Sequence, residues 1–395
     1  MAYLGNSTHF NNWIFSREEV ALARRLGLQA SGAAGSALRP VRKARSFAAL
    51  LPKSSTASRD VNDWNDATDV DVEVEEQNEE KESLKLTPLL EFVSSEQEQL
   101  IREFYEEKIL ESCSQQFLRT SDKVKGCAVM LYKRFYLSNS VMEFHPKFMV
   151  PTAIYVAGKV EEQYISVDTV ADQLHVDHKF IIGHEMILLE GVRFQLIMYH
   201  PFRALLGFMG DFQGFAKAVL SKELPASLLQ KLHSKSCGIL NELLLTDLPL
   251  TYLPAYLALS ALAQVADEIG ASANNHPESN DVAVSKADVI EYIKRSKFSQ
   301  GEAIDDVLER LETIEQVYRE NQKRRAALAE DKSAAEQRDK QIKLIYKKLK
   351  KFHDEDKKDK KKKKDKSGEK DEKKKKRKAE KDDKKKAKKH KKDKN

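Results

Sequence analysis

Residues 148 to 160, with the sequence FMVPTAIYVAGKV, decide the fold class of this chain. The stretch is apolar on almost every side when it is plotted as a helix. Such a pattern is typical of a helix that other helices enclose, because a helix on a surface needs one polar face. We therefore expect residues 148 to 160 to be the central helix of a helical bundle.

The residues around this stretch extend the helical pattern from about Ser94 to Tyr318. Apolar side chains recur at helical spacing, and short breaks at Pro, Asp or Gly separate the segments. The segments are Ser94–Phe117, Ser121–Leu137, Phe148–Val160, Ser166–Leu174 and Phe180–Leu196, and then Pro201–Phe212, Ala226–Leu245, Pro254–Ile269, Ser285–Lys294 and Gly301–Tyr318. Five helices followed by five of similar length and order predict an all-α fold built from two copies of one repeat.

One helix is expected before the repeats. Ser16, followed three residues later by Glu19, forms the pattern of a capping box and predicts a helix start. Trp13 and Phe15 come just before it, either as a hydrophobic staple, which we favour, or as a contact with a partner.

A second helix is expected after the repeats, and its apolar residues form a narrow stripe. The stripe predicts docking on the helical body or on the N-terminal helix. Its members are Ile342, Ile345, Leu349 and Phe352.

Charge divides the chain into a mildly acidic body and a basic tail. Residues 354–395 hold 24 Lys and Arg against 12 Asp and Glu, a balance of +12, so the net charge of +6 leaves −6 for the remainder. The tail and the acidic stretch within 28–85 contain too little apolar surface to fold, and we expect both to be disordered. The expected domains are 1–27 (N-terminal helix), 28–85 (acidic insertion), 86–198 and 199–319 (the two repeats), 320–353 (C-terminal helix) and 354–395 (Lys-rich tail).

Several classes of protein are disfavoured by the sequence. The three cysteines are isolated from one another, so neither a disulfide framework nor a zinc site is indicated, and the compartment is expected to be reducing. The longest apolar run falls short of the ~20 residues that cross a bilayer. No phosphate-binding loop, nucleophile elbow or metal-ligand motif is present, so we expect a non-enzyme without catalytic residues, metal or cofactor.

Short strings in both repeats resemble the cyclin family, and specifically its H type. They are Lys133–Leu137, Asn139–Glu143, His145–Pro146 and Val156–Glu162, then His200–Arg203, Gly207–Phe208, Asp211, Leu245–Asp247 and Tyr252–Pro254. Trp13–Ser16 is the most type-specific string. The resemblance covers residues 10–27 and 94–352 and identifies the repeats as two cyclin boxes. Pro151 departs from the pattern, because an interior proline removes a helical hydrogen bond, and it predicts that the third helix starts later than in relatives.

The resemblance implies a nuclear protein that binds and activates a cyclin-dependent kinase of the activating type. A RING-bearing assembly factor and TFIIH would be its further partners. The expected work is phosphorylation of kinase activation loops and of the RNA polymerase II C-terminal repeats. Lys159 and Glu185 would contact the kinase's mobile helix, and Glu162 would face its arginines. An apolar pocket would be formed by Val156, Val160, Leu189 and Leu196.

Each of these assignments has a structural alternative. Lys159 could compensate the end of its own helix or pair with Glu162 or Glu185, and the four apolar residues could be ordinary core. At the level of the whole protein, a cyclin-fold transcription factor of the B type that binds DNA, or a transcriptional cyclin of the C, K, L or T type, remains open. The Lys-rich tail could add a weak nucleic-acid contact or serve as a nuclear-localisation segment, with Lys373–Lys378 its densest part.

Overall fold

A computed structural model describes residues 12–24, 93–275, 284–296 and 303–353, and the regular secondary structure in these ranges is entirely helical. The acidic insertion and the Lys-rich tail lie outside the described residues. None of the described helices combines the length and the apolar content that a bilayer crossing needs.

The described helices follow the predicted order of one, five, five and one, with a single extra turn in the second group. The first group is α1 (17–24), α2 (Ser95–Ser112), α3 (Asp122–Ser138), α4 (Pro146–Val160), α5 (Val167–Leu174) and α6 (His178–Gly191). The second is α7 (Pro201–Ala218), α8 (Ala226–Leu244), the single turn α9 (Leu248–Thr251), α10 (Pro254–Asn275), α11 (Lys286–Arg295), α12 (Ile304–Glu330) and α13 (332–353). The predicted all-α fold of two five-helix repeats is confirmed.

The helix starts are fixed by the side chains that the sequence offers for capping. The Ser16 hydroxyl accepts from the Glu19 N–H at 3.1 Å, and the Ser16 N–H donates to the Glu19 carboxylate at 2.7 Å. Ser285 and Asp288 make the same reciprocal pair at the start of α11. The predicted capping box at Ser16 is thus present, and each of the two boxes satisfies backbone donors that the first turn of a helix leaves unpaired.

The central helix of the first repeat is α4, which packs against α2, α3, α5 and α6. It contains Pro151, yet it begins at Pro146, so the predicted late start is wrong. The carbonyl that Pro151 leaves without its usual donor belongs to Lys147, which is exposed in the first turn, where water can replace the missing bond. The Thr152 hydroxyl adds a bond of 2.7 Å to the Phe148 carbonyl.

The C-terminal helix α13 docks on the first repeat. The helical body was one of the two docking sites that the sequence predicted. Ile342, Ile345 and Leu349 are buried, at 5% exposure or less. The Tyr346 hydroxyl hydrogen-bonds that of Tyr105 on α2. Apolar burial therefore holds the helix, and the tyrosine pair fixes its position along α2.

A buried ion pair lies inside the first repeat. The Lys133 ammonium is 2.6 Å from the Glu106 carboxylate, and the two side chains are 1% and 5% exposed. Burial raises the pKa of Glu106, against the lowering effect of Lys133. The pair lines a cavity of about 280 Å³ that Arg24 of α1 also borders, where the Arg24 guanidinium binds Asp247 through two bonds of 2.5 and 2.6 Å.

Candidate functional site

The candidate site is built on an ion pair between two helices of the first repeat. Lys159 lies in the last turn of α4, and its Nζ is 2.6 Å from Oε1 of Glu185 on α6. The side chains are 47% and 24% exposed, so the pair is open to an approaching partner. Of the alternatives that the sequence left for Lys159, the structure selects the bond to Glu185.

Local contacts keep Lys159 protonated. Desolvation alone would lower the pKa of this ammonium, but its hydrogen bonds to Glu185 and to Tyr155 raise the pKa overall. The ammonium also lies 4.2 Å from the centroid of the Tyr155 ring, which attracts a cation through its negative face. Tyr155 precedes Lys159 by one helical turn, so α4 itself fixes the direction of the charge.

The four predicted pocket residues occupy two depths. Val160, Leu189 and Leu196 are half-buried and reach the surface. Val156 is only 2% exposed and belongs to the core, so it can support such a pocket only from beneath. Glu162 is exposed just past the end of α4, where its backbone has a φ of 56°.

Exposed apolar side chains on α6 and just beyond its end were not predicted from the sequence. Ile182 and Met186 on α6 are 52% and 57% exposed, and Phe194 and Ile197 beyond its end are 58% and 63% exposed. A signal existed in the sequence, because Ile182 and Met186 are four residues apart and would share one helical face. That face is not the one of Ile181, which is fully buried.

A second polar cluster joins the two repeats. Nε2 of His200, the residue before α7, lies 2.9 Å from Oε1 of Glu161, just past α4. This hydrogen bond lowers the pKa of Glu161. Cys127 of α3 completes a set of three possible metal ligands within 4.8 Å of one another. Burial raises the pKa of the Cys127 thiol, and we interpret the histidine–carboxylate pair as a link between the repeats.

Known proteins resemble this chain both in fold and in sequence, in agreement with the short cyclin-like strings described above. A family model described as the cyclin C-terminal domain matches residues 200–319, from the start of α7 into α12. Cyclin-H1-1 of Arabidopsis thaliana is 35% identical over 178 residues, and cyclin-H of Xenopus laevis is 32% identical over 182 residues. In these parts the chain is similar to cyclins of the H type.

The similarity of this chain to each relative covers part of both proteins. The matches take in 45% and 44% of this chain, and 50% and 54% of the Arabidopsis and Xenopus proteins, so the chain spans about half the length of the curated relatives it matches. Cyclin CCL1 of Saccharomyces cerevisiae is 31% identical over 43% of this chain and 42% of its own length.

Two solved structures share the fold of this chain. A chain in the structure of the CAK complex from Chaetomium thermophilum bound to ATP-gamma-S aligns with a TM-score of 0.61 and 22% identity, over 89% of each chain. A chain of the yeast TFIIK (Kin28/Ccl1/Tfb3) complex aligns with a TM-score of 0.51 and 20% identity, over 79% of the present chain and 99% of the yeast chain. At these identities the likeness extends to the fold.

Proposed function

We propose that this chain is a cyclin of the H type, a non-catalytic subunit that binds and activates a cyclin-dependent kinase of the activating type. The observation that carries the proposal is the exposed Lys159–Glu185 pair, which bridges α4 and α6 beside uncovered apolar side chains. Soluble proteins rarely expose clustered large apolar side chains without a partner, and a charged pair beside them fixes the partner's orientation.

The surface combines the two kinds of contact that a protein interface needs. Ile182, Met186 and Phe194 supply apolar area, whose burial drives association. Lys159 and Glu185 can each direct a hydrogen bond to a backbone group of the partner, because neither side chain is enclosed. Half-buried Leu189 follows Glu185 by one helical turn on α6 and can add apolar area to the patch.

Activation would follow from binding one conformation of the kinase. Phosphoryl transfer needs the kinase's ATP-positioning lysine paired with a glutamate on its mobile helix. A cyclin that binds the conformation containing this pair shifts the population towards it, and ~5.5 kcal/mol of differential binding turns a 1:99 mixture into 99:1. The cyclin itself would contribute no reacting group.

The test removes the ion pair and compares it with a matched pair elsewhere. Lys235 and Glu268 bridge α8 and α10 of the second repeat at 2.9 Å and are 45% and 54% exposed. We expect Lys159→Ala with Glu185→Ala to lower activation of the co-purified kinase ~100-fold, since truncating an interfacial charged pair costs ~2–5 kcal/mol. Lys235→Ala with Glu268→Ala should leave activation unchanged, and circular dichroism should show both variants folded. Full activation by the Lys159/Glu185 variant would refute the proposal.

The wider assembly is part of the same proposal. One structure of similar fold is that of a CAK complex and the other is that of the yeast TFIIK (Kin28/Ccl1/Tfb3) complex. This likeness supports the proposal of a kinase partner, a RING-bearing assembly factor and work within TFIIH in the nucleus. The substrates would be kinase activation loops and the RNA polymerase II C-terminal repeats. Affinity purification of the full chain, with identification of the bound proteins and kinase assays on both substrates, tests each element.

One alternative is DNA binding by the repeats in the manner of a B-type transcription factor, and any affinity that comes from the Lys-rich tail has to be separated from it. Residues 354–395 carry +12, whereas the remainder carries −6. Deleting the tail and measuring DNA affinity across salt concentrations separates the two roles, because a tail-driven affinity is electrostatic and disappears with the tail. Strong binding by the tail-less chain would favour the alternative.

A further inference from the structure

The turn that follows α6 has an unusual backbone. Arg193 and Phe194 are consecutive residues in the left-handed region, with φ values of 58° and 56°. This region is unfavourable for residues other than glycine, because their Cβ approaches the following carbonyl oxygen. The Phe194 N–H bonds to the Leu189 carbonyl at 2.8 Å, and the Phe194 ring is 58% exposed. The turn thus projects an aromatic ring directly beside α6.

Trp13, far away in sequence, contacts the residues on both sides of Phe194. Its indole Nε1 donates to the side-chain oxygen of Gln195 at 2.5 Å. The Arg193 guanidinium lies 5.8 Å from the centroid of the Trp13 ring. Since Trp13 is only 4% exposed, these contacts lie in a sheltered place and fix the turn from within.

A buried cation fixes Trp13 in turn. Arg134 of α3 is fully buried, and its guanidinium lies 4.7 Å from the centroid of the Trp13 ring. Its NH1 donates to the Gln195 carbonyl at 3.4 Å, while Nε and NH2 are buried without a hydrogen bond. Burial lowers the pKa of Arg134 to about 9. The indole face is therefore an important partner of this cation.

The same N-terminal segment is anchored on the second repeat. The Phe15 N–H donates to the Leu250 carbonyl at 2.8 Å, and the Phe15 ring meets the Trp13 ring edge to face at 6.4 Å. One short segment therefore spans from the second repeat to the turn that carries Phe194.

We propose that Trp13 is a positioning residue for the kinase-contact surface. It holds the turn at 192–195 in its left-handed conformation, so that Phe194 is exposed to the partner just past the end of α6, the helix that carries Glu185. The inference rests on the proposed function and deepens it, because it assigns to the N-terminal segment a role in setting the geometry of the contact surface. Trp13 itself, being buried, does not touch the kinase.

The experiment is a double-mutant cycle between Trp13 and Phe194 in the full chain, with affinity for the co-purified kinase as the readout. Trp13→Phe keeps an aromatic ring for Arg134 and removes the N–H donor, and Gln195→Leu removes the acceptor alone. We expect each to weaken kinase binding about tenfold, the factor that corresponds to ~1.4 kcal/mol. Phe194→Ala should weaken binding similarly, and Trp13→Phe should add nothing to it.

A control separates positioning from simple loss of stability. Arg24→Gln breaks the α1 contact with Asp247 and lowers thermal stability, but it leaves Trp13 and the turn in place. Kinase affinity should then stay within about twofold of the unmodified chain, a change that is small against the tenfold steps above.

The outcomes distinguish this inference from the proposed function. Additive losses in Trp13→Phe and Phe194→Ala, or unchanged affinity in Trp13→Phe while Lys159→Ala with Glu185→Ala loses activation, would overturn the positioning role alone. Equal losses in Arg24→Gln and Trp13→Phe would also overturn it, because the effect would then follow stability. Unchanged activation in the Lys159/Glu185 variant would instead refute the kinase-contact surface.

Discussion

The two repeats share an architecture but distribute charge in opposite ways. The first repeat buries the Lys133–Glu106 pair and exposes Ile182 and Met186 on its last helix. In the second repeat Lys286 is one-third exposed beside Glu315, and the outer face of α12 is charged. The difference shows that five packed helices specify the core alone, whereas the charged and outer residues can differ between the repeats.

The largest effect should come from the buried charge of the first repeat. Lys133→Met leaves the Glu106 carboxylate buried without its cation, which should lower the free energy of unfolding by ~3–5 kcal/mol. Lys286→Met removes the cation of the partly exposed pair with Glu315, at 2.7 Å, and should cost no more than ~1 kcal/mol. Urea unfolding of both variants measures the difference. Equal losses would mean that the two repeats depend on their ion pairs alike.

A smaller effect should appear on acidification, and again in the first repeat. Burial, with help from nearby His353 and Lys147, lowers the pKa of His145 to about 4. Between pH 6.5, the ordinary pKa of histidine, and pH 4, His145 is protonated in the unfolded chain and neutral in the folded chain. Stability is therefore complete above pH 6.5 and falls as the pH drops towards 4, by roughly 2 kcal/mol at pH 5.

The region that loses stability on acidification can be predicted as well. His145 stacks on Tyr346 of α13 at 5.8 Å, so hydrogen exchange at pH 5 should increase in α13 and α4 before it increases in α10. His145→Phe keeps a ring at this position and should reduce the pH dependence. An unchanged pH profile in that variant would assign the acid sensitivity to other groups.

The smallest effect should separate a close helix contact from an open surface. A Cβ at Gly191 of α6 would lie 2.4 Å from the Phe135 ring, so Gly191→Ala should destabilise the chain by ~1–3 kcal/mol. A Cβ at Gly210 of α7 would meet no atom within 4 Å, and Gly210→Ala should stabilise it by up to ~1 kcal/mol through helix propensity. Thermal unfolding measures the change in stability of each variant. A loss of stability in both variants would contradict the contrast between the two glycines.

Periodicity and capping were enough to predict the helices. The apolar run before Lys159 required an enclosed helix, and Ser16 and Ser285 marked two helix starts that the structure contains. The late helix start predicted from Pro151 was wrong, because the effect of a proline on a helix depends on where the helix begins. A proline near an exposed first turn costs one bond that water replaces, whereas the same residue in an enclosed turn would break the helix.

Local spacing carried little information about the candidate site, and its residues were predicted from the family resemblance. Lys159 and Glu185 are 26 residues apart, and only their placement on neighbouring helices makes them a pair. The exposed face of α6 could have been found from the spacing of Ile182 and Met186. The contact between Trp13 and Gln195 joins residues 182 positions apart through a left-handed turn, which no local pattern specifies.

The hydrogen bond between His200 and Glu161 connects the two repeats mechanically. Glu161 follows Lys159 by two residues, and His200 immediately precedes the first helix of the second repeat. A pull on the second repeat would reach the lysine end of α4 through this hydrogen bond as well as through the chain between the repeats. A protein bound to the second repeat could thus shift the Lys159 backbone without touching it, and the stiffness of that connection would depend on one histidine.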